Sequence, residues 1–146
     1  RSQKKGYAVI QTYNPDDEII IYSAHQDYKN FYENEIETRM LLNYPPFSEF
    51  VHFVFSSANQ KEAFAMANKF YRELMTGLSH TSFSGISFKP CEAPVFKINS
   101  KYRYHFIIKT PYKKDIYNCI SEVYRKFITS KGNVTITIDV NPNSMY

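Results

Sequence analysis

The sequence lacks tryptophan and is poor in glycine and cysteine. Its 4 glycines form no Gly-rich loop of the kind that holds phosphates in nucleotide-binding proteins. Its 2 cysteines, Cys91 and Cys119, lie far apart without Cys-x-x-Cys spacing, so the sequence suggests neither a zinc site nor a disulfide framework. We expect both to be buried free thiols. The 4 histidines share no metal-ligand spacing either, so the sequence predicts no metal site and no bound cofactor in this chain.

Long hydrophobic runs are also missing. No segment approaches the length that crosses a bilayer, and the N-terminus lacks the apolar core of a signal peptide. We therefore expect a cytoplasmic protein without a membrane partner. Ser or Cys beside a His and an acid does not occur at a recognisable spacing, so the sequence predicts no catalytic residues. The chain begins at Arg1 without an initiator Met, which suggests a fragment or a trimmed chain.

The composition is that of one globular domain with a substantial core. Of 146 residues, 43% are hydrophobic and 22% charged. The net charge of +4 is too small to indicate a nucleic-acid-binding protein by itself. Its distribution says more, because residues 14–62 contain nine acidic residues against three Lys or Arg, whereas residues 97–131 contain nine Lys or Arg against two acidic residues. The basic character therefore belongs to the C-terminal half.

Residues 101–109 (KYRYHFIIK) alternate between two kinds of side chain, which predicts a β-strand. Successive side chains of a strand point to opposite faces. One face would carry Tyr102, Tyr104, Phe106 and Ile108, and the other would carry Lys101, Arg103, His105 and Lys109, with Ile107 among them. The first face suits a core. The second would be cationic, although an ordinary half-solvated strand gives the same pattern.

Near the N-terminus, the β-branched and aromatic residues 6–13 (GYAVIQTY) predict a strand. A helix should start after it, with Asn14 as the cap and Pro15 in its first position. Apolar residues at spacings of three and four predict one long amphipathic helix over residues 21–43. Residues 44–47 (YPPF) end it, because proline cannot continue a helix.

Residues 49–141 then follow the order β-α-β-β-α-β, which is the ferredoxin-like α+β arrangement. The predicted parts are a central strand at 50–55, a helix with the buried stripe Ala63, Ala67, Phe70, Leu74 and Leu78, short extended pieces in 83–98, the strand 101–109, a helix with the buried stripe Ile116, Cys119, Ile120, Val123 and Phe127, and a last strand over 134–140. The last helix would begin with Thr110 as cap and Pro111 in its first position. In this topology both helices cover one face of an antiparallel sheet, and the first and third strands are central. The cationic face would therefore lie in the middle of the open side.

This placement favours binding of a polyanion. Lys101, Arg103 and Lys109, interleaved with aromatic residues, suit phosphate contacts and base stacking. Lys113 and Lys114 would lie in the first turn of the last helix, where the macrodipole disfavours cations, so we expect an acidic ligand there. The alternative is that Asp115 offsets them and all three are solvated.

Four stretches together resemble the C-terminal end of the bacterial primosomal replication-restart helicases, the primosomal protein N prime (PriA) family. The stretches are residues 6–15 (GYAVIQTYNP), the pattern Asp27-Tyr28, Phe31-Tyr32, Glu35 and Arg39 leading to Tyr44-Pro45-Pro46-Phe47, residues 101–104 (KYRY) and residues 138–142 (IDVNP). They span nearly the whole chain in the order and spacing of the family. The last stretch commonly reads Asp-Val-Asp-Pro in the family, and Asn141 replaces its second Asp.

The resemblance implies a domain organisation. Arg1 would be the last Arg of helicase motif VI, residues 1–20 would be the C-terminal remnant of the second helicase lobe, and residues 21–146 would form the C-terminal domain, which resembles ribosomal protein S10. The parent protein would be an ATP-dependent 3′–5′ DNA helicase that uses magnesium and zinc, recognises stalled or branched forks and initiates primosome assembly. This chain would hold none of those cofactors and would have no helicase activity of its own.

The resemblance also implies the partners. They would be branched or single-stranded DNA, bound here by Lys101, Arg103, His105 and Lys109, the acidic C-terminal tail of single-stranded DNA-binding protein, and other primosome proteins. The tail pocket maps onto Lys113 and Tyr117, where relatives usually have Arg and Gln. Two alternatives stay open at this point: a ribosomal-type RNA-binding or protein-docking domain, and a small-molecule regulatory or enzymatic α+β domain, because one fold supports many functions.

Overall fold

The chain divides into two units in this computed structural model. The structure describes residues 6–128 and 132–143. Within these residues, the first unit contains two helices. Helix α1 is Glu18–His25 and helix α2 is Tyr28–Leu41, both within the first unit, which ends at Leu42. The prediction of one long helix over residues 21–43 is therefore wrong. Gln26 interrupts it with a left-handed backbone (φ 55°). Asp27 then starts α2, because its carboxylate accepts the backbone N–H of Asn30 at 3.2 Å.

Residues 6–13 form no strand in the described chain, so that prediction is also wrong. Their side chains are exposed, including Tyr7 and Val9, and a β-branched sequence becomes a strand only where a partner strand supplies hydrogen bonds. Asn14 is not the cap, since the Asp17 carboxylate accepts the N–H of Ile19 at 2.9 Å. Arg1 lies outside the described residues. The assignment of residues 1–20 to a helicase lobe stays a prediction.

The second unit begins at Asn43 and has the predicted β-α-β-β-α-β order with one additional strand, the two-residue β2, after its first helix. Its elements are β1 (Glu49–Ser57), α3 (Gln60–Leu78), β2 (Ile86–Ser87), β3 (Cys91–Ile98), β4 (Lys101–Thr110), α4 (Lys114–Ile128) and β5 (Thr135–Val140). The antiparallel sheet has the order β2-β4-β1-β5, and β3 also pairs with β4. The fold class is therefore confirmed, and β1 and β4 are the central strands. None of the helices in the described chain is long and apolar enough to span a bilayer.

The core lies between the sheet and helices α3 and α4. Phe53 of β1 stacks on Phe106 of β4 with 4.4 Å between ring centroids, and Phe70 of α3 packs against both rings. The buried stripe of α3 is Ala63, Ala67, Phe70, Leu74 and Leu78, as predicted. The buried stripe of α4 is Ile116, Ile120, Val123 and Phe127, whereas Cys119 is only partly buried. Burial of these rings and aliphatic side chains is the main stabilising contribution.

Two local predictions need correction, and Asn141 has a structural role that the sequence did not indicate. Helix α4 begins at Lys114 and not at Pro111, and Thr110 is the fully buried last residue of β4, paired with Glu49, and not the helix cap. Cys91, which pairs with His105 at the start of β3, is exposed and not buried. Asn141, with φ 51°, closes β5 onto β1: its N–H donates to the carbonyl of Phe50 at 2.7 Å, and its Oδ1 accepts the N–H of Phe50 at 2.9 Å.

Candidate nucleic-acid interface

The strand pairing decides which side chains share the face of the sheet that the helices leave open. Phe106 packs against α3, so the residues one position away on β4 belong to the other side. We call this side the open face. It carries Lys101, Arg103, His105, Ile107 and Lys109 from β4, Phe50, His52, Val54 and Ser56 from β1, and Thr135, Thr137 and Asp139 from β5. The predicted cationic residues thus lie on a central strand of the open face.

Lys101 and Arg103 form the cationic end of the open face. Asn99 and Ser100, both with positive φ (48° and 62°), make the two-residue turn between β3 and β4, and Lys101 follows it directly. Lys101 is exposed and Arg103 is half-buried. The two side chains line a shallow groove together with Ser56, Ile98 and Asn99.

Arg103 is partly fixed in this groove. Its Nη1 donates to the carbonyl of Val95 on β3 at 3.3 Å. The guanidinium is a planar fork of N–H donors whose geometry matches the oxygens of a phosphate. The cationic end therefore has the charge and the donors to bind an anionic group.

A histidine pair occupies the middle of the open face. His52 Nε2 lies 2.8 Å from His105 Nδ1, which is hydrogen-bond distance. His52 is only 4% exposed, and burial is the main reason why its pKa falls from 6.5 to about 4, followed by the charges of His105 and Arg103, while Asp139 opposes the shift. Burial and then Arg103 lower the pKa of His105 as well. Both rings are therefore neutral at pH 7, and the positive charge of this face comes from its lysines and arginine.

Lys109 lies at the other end of β4, and the structure does not present it to solvent. The residue is 8% exposed, and its Nζ lies 4.4 Å from the ring centroid of Tyr44 and 5.7 Å from that of Phe50. Tyr44, in the segment predicted to end the helix, and Phe50 of β1 cover this end of the strand and hold the ammonium in cation–π contacts. The prediction that Lys109 is exposed with the other cations is wrong, and its role as a DNA contact stays untested.

The residues predicted to bind a protein tail lie apart from the open face, at the start of α4. Lys113 immediately precedes the helix, and its Nζ donates to the carbonyl of Ser82 at 3.2 Å. Asp115 accepts the N–H of Ser82 at 2.7 Å, so the two residues hold the same loop. This contact explains Lys113 without a ligand. Lys114, the first residue of α4, is exposed.

Tyr117, one turn further along α4, is not available as a free hydroxyl. It donates to the carboxylate of Glu49, and burial, followed by this hydrogen bond and the charge of Glu49, raises its pKa. Glu49 also lies 3.4 Å from the side-chain amide of Asn141. The structure therefore brings Lys113 and Tyr117 to the same end of α4, and each already has a partner within the domain.

Sequence reasoning missed two features of the open face. The His52–His105 pair depends on the register between β1 and β4, which places His52 opposite Ile107 and His105 opposite Val54. The alternation of apolar and polar residues in each strand could have indicated that both histidines face the same side of the sheet. It could not have indicated that their rings are in contact. Phe88 was also missed, because the two-residue strand β2 that positions it is too short to give a periodic pattern.

Comparisons with known proteins agree on one family. The family model described as primosomal protein N C-terminal domain matches residues 40–143. The chain is similar to the replication restart proteins PriA of Borreliella burgdorferi (31% identity, 94% of this chain, 20% of the relative), Thermotoga maritima (34%, 73% and 13%) and Bacillus subtilis (31%, 99% and 18%). The chain thus spans a fifth or less of the length of these curated relatives.

Proposed function

Because this chain belongs to the primosomal protein N C-terminal domain family, we propose that it is the DNA-binding and partner-docking C-terminal domain of a replication-restart helicase. The proposed ligand of the open face is branched or single-stranded DNA. The parent protein would unwind DNA with ATP and magnesium, would bind zinc, and would initiate primosome assembly at stalled forks. Unwinding, ATP hydrolysis and zinc binding would belong to segments outside this chain. This chain would act by binding alone.

The observation that carries this proposal is the position of Lys101 and Arg103 on a central strand of an open sheet face. Carboxylates are scarce beside them, since the neighbouring open-face residues on β1 and β5 are Ser56 and Thr135. Lys and Arg side chains supply most contacts to nucleic-acid phosphates, and hydroxyl side chains add further donors. The cationic end thus has the composition of a phosphate-binding surface.

The test is a salt titration of binding to a fluorescent forked DNA, measured by anisotropy. Each phosphate that a protein neutralises contributes about 0.9 to the slope of log K against log salt for duplex DNA, and about 0.7 for single strands. Arg103→Ala should therefore weaken binding and lower the slope by about one unit. The matched control is Arg72→Ala, which removes an exposed arginine from α3 on the other side of the sheet.

Unchanged affinity in the double variant Lys101→Ala/Arg103→Ala would contradict the proposal, as would an equal loss in Arg72→Ala. A competition experiment separates DNA from RNA, which is the alternative ligand for this fold. Forked DNA should displace a labelled RNA duplex at lower concentration than the reverse. The opposite order would favour a ribosomal-type RNA-binding domain.

Partner docking is the second part of the proposal, and the exposed Lys114 beside Lys113 at the N-terminus of α4 supports it. An acidic peptide there would meet two cations and the positive end of the helix dipole. A peptide with the C-terminal tail sequence of single-stranded DNA-binding protein should bind, and Lys113→Ala/Lys114→Ala should weaken it. Lys61→Ala, which removes an exposed lysine from the first turn of α3, is the control. Equal binding by all three proteins would contradict the assignment.

A further inference from the structure

An exposed aromatic ring lies at the edge of the open face, and the proposed function does not yet use it. Phe88 is 53% exposed. Its N–H donates to the carbonyl of Ile107 at 2.9 Å, which extends the β2–β4 pairing by one residue. Ser87, its neighbour, hydrogen-bonds with Tyr71 of α3 and so faces the helices. Alternation along the strand therefore places Phe88 on the open face, beside Ile107.

The ring of Phe88 has no aromatic neighbour within the described residues, unlike most rings of this domain. Ile86, two positions earlier and on the same face, is 52% exposed. Together they leave a small apolar surface beside β4. Covering the exposed face of a phenylalanine ring with another planar apolar group removes apolar surface from water and is favourable. A planar apolar group should therefore bind here.

The surroundings favour a nucleic-acid base over an apolar protein side chain. Arg103 lies four residues along β4 from Ile107, about 13 Å at the usual rise of a strand. His105 lies between them and is neutral at pH 7. The strand register places one carboxylate, that of Asp139 on β5, among the described residues of the open face. Strand β1 lies between Asp139 and β4. This half of the face therefore complements a chain that carries phosphates and planar bases together.

We propose that Phe88 is a base-stacking residue for single-stranded nucleic acid whose phosphates lie against Lys101 and Arg103. The inference rests on the proposed DNA-binding function and adds the ligand class of this subsite. Bases of duplex DNA are already stacked on each other, whereas unpaired bases can stack on an aromatic side chain. Phe88 thus makes the open face selective for unpaired nucleotides.

The binding experiment uses the 146-residue chain and two fluorescent probes, a twelve-nucleotide oligothymidylate and an abasic oligomer with the same number of phosphates. Phe88→Ala should weaken oligothymidylate binding about five- to tenfold, the lower part of the range for one base on one ring. Binding of the abasic oligomer and the salt slope should not change. Phe88→Tyr, which keeps the ring, should retain the affinity. The matched control is Phe64→Ala, which removes a 48% exposed phenylalanine from α3.

A second readout does not depend on affinity. Because the sequence has no tryptophan, Phe88→Trp introduces a single indole whose emission reports on stacking. Oligothymidylate should quench that emission, and the abasic oligomer should not. Phe64→Trp provides the control for quenching by proximity alone.

The outcomes separate this inference from the function on which it rests. If the unmodified chain binds neither probe, the DNA-binding proposal and this inference are both overturned. If it binds oligothymidylate and Phe88→Ala binds it equally well, only the stacking role is overturned, and the Ile86–Phe88 surface would belong to a protein partner. An equal loss for both probes in Phe88→Ala would overturn it too, because a stacking residue cannot act on an oligomer without bases.

Discussion

The histidine pair makes the stability of the domain depend on pH, and His52→Gln tests this. A histidine in the unfolded chain takes up its proton near pH 6.5, whereas folded His52 does so near pH 4. The unfolded state therefore binds more protons between these values, and stability falls as the pH drops through this window. At pH 5 linkage gives a loss of about 2 kcal/mol relative to pH 8.

Glutamine at position 52 can still donate a hydrogen bond to His105 but cannot titrate. Between pH 7.5 and pH 5, His52→Gln should lose about 2 kcal/mol less unfolding free energy than the unmodified chain. His105 contributes a loss of the same sign in both proteins, because its pKa is lowered as well. Carboxylates, including Asp139 beside His52, are common to both and cancel in the difference.

Urea unfolding followed by circular dichroism at a series of pH values measures this difference. His80→Gln, which removes an exposed imidazole, is the matched control. Parallel pH profiles for His52→Gln and the unmodified chain would refute the reasoning. So would an imidazole resonance of His52 that titrates near pH 6.5 in the folded protein.

Three further changes test the packing that holds the open face in place. Phe106→Ala removes a ring that is 1% exposed and stacks on Phe53, and it should lower the unfolding free energy by about 3–5 kcal/mol in urea titrations. Gly85→Ala would place a Cβ 2.0 Å from the backbone oxygen of Lys109, so the loop before β2 must shift, and we expect a loss of about 1–3 kcal/mol and a lower Tm by calorimetry. Asn141→Ala removes the side-chain acceptor for the N–H of Phe50 and should cost about 1 kcal/mol, with faster hydrogen exchange at that amide. A Tm equal to that of the unmodified chain would contradict each of these expectations.

The parts of the fold that follow from local periodicity were predictable. The stripe of α3 from Ala63 to Leu78 matches because a helix repeats its buried face every three to four residues, whatever the partner. The central position of β4 followed from the order of the elements, because few topologies are open to β-α-β-β-α-β. Both inferences needed only sequence spacing and chain connectivity.

The errors arise where a single residue or a distant contact decides the structure. The break between α1 and α2 depends on the left-handed backbone of Gln26, which the apolar spacing on both sides conceals. The burial of Lys109 depends on Tyr44, a residue far away in the sequence that covers one end of the strand. An alternating pattern specifies which face a side chain belongs to, but it contains no information about what lies over that face.

These contacts also divide the open face by charge, which bears on how DNA would lie on it. Lys109 is covered by Tyr44 at one end of β4, and the two histidines in the middle are neutral at pH 7. The accessible positive charge is thus at the other end, with Lys101 and Arg103. A strand of DNA would place phosphates there, where Coulomb attraction is strongest, and would leave bases over the uncharged middle and the Phe88 edge. A uniformly cationic face would suit a duplex backbone along its whole length, whereas this division suits a single strand that presents phosphates and bases to different parts of one surface.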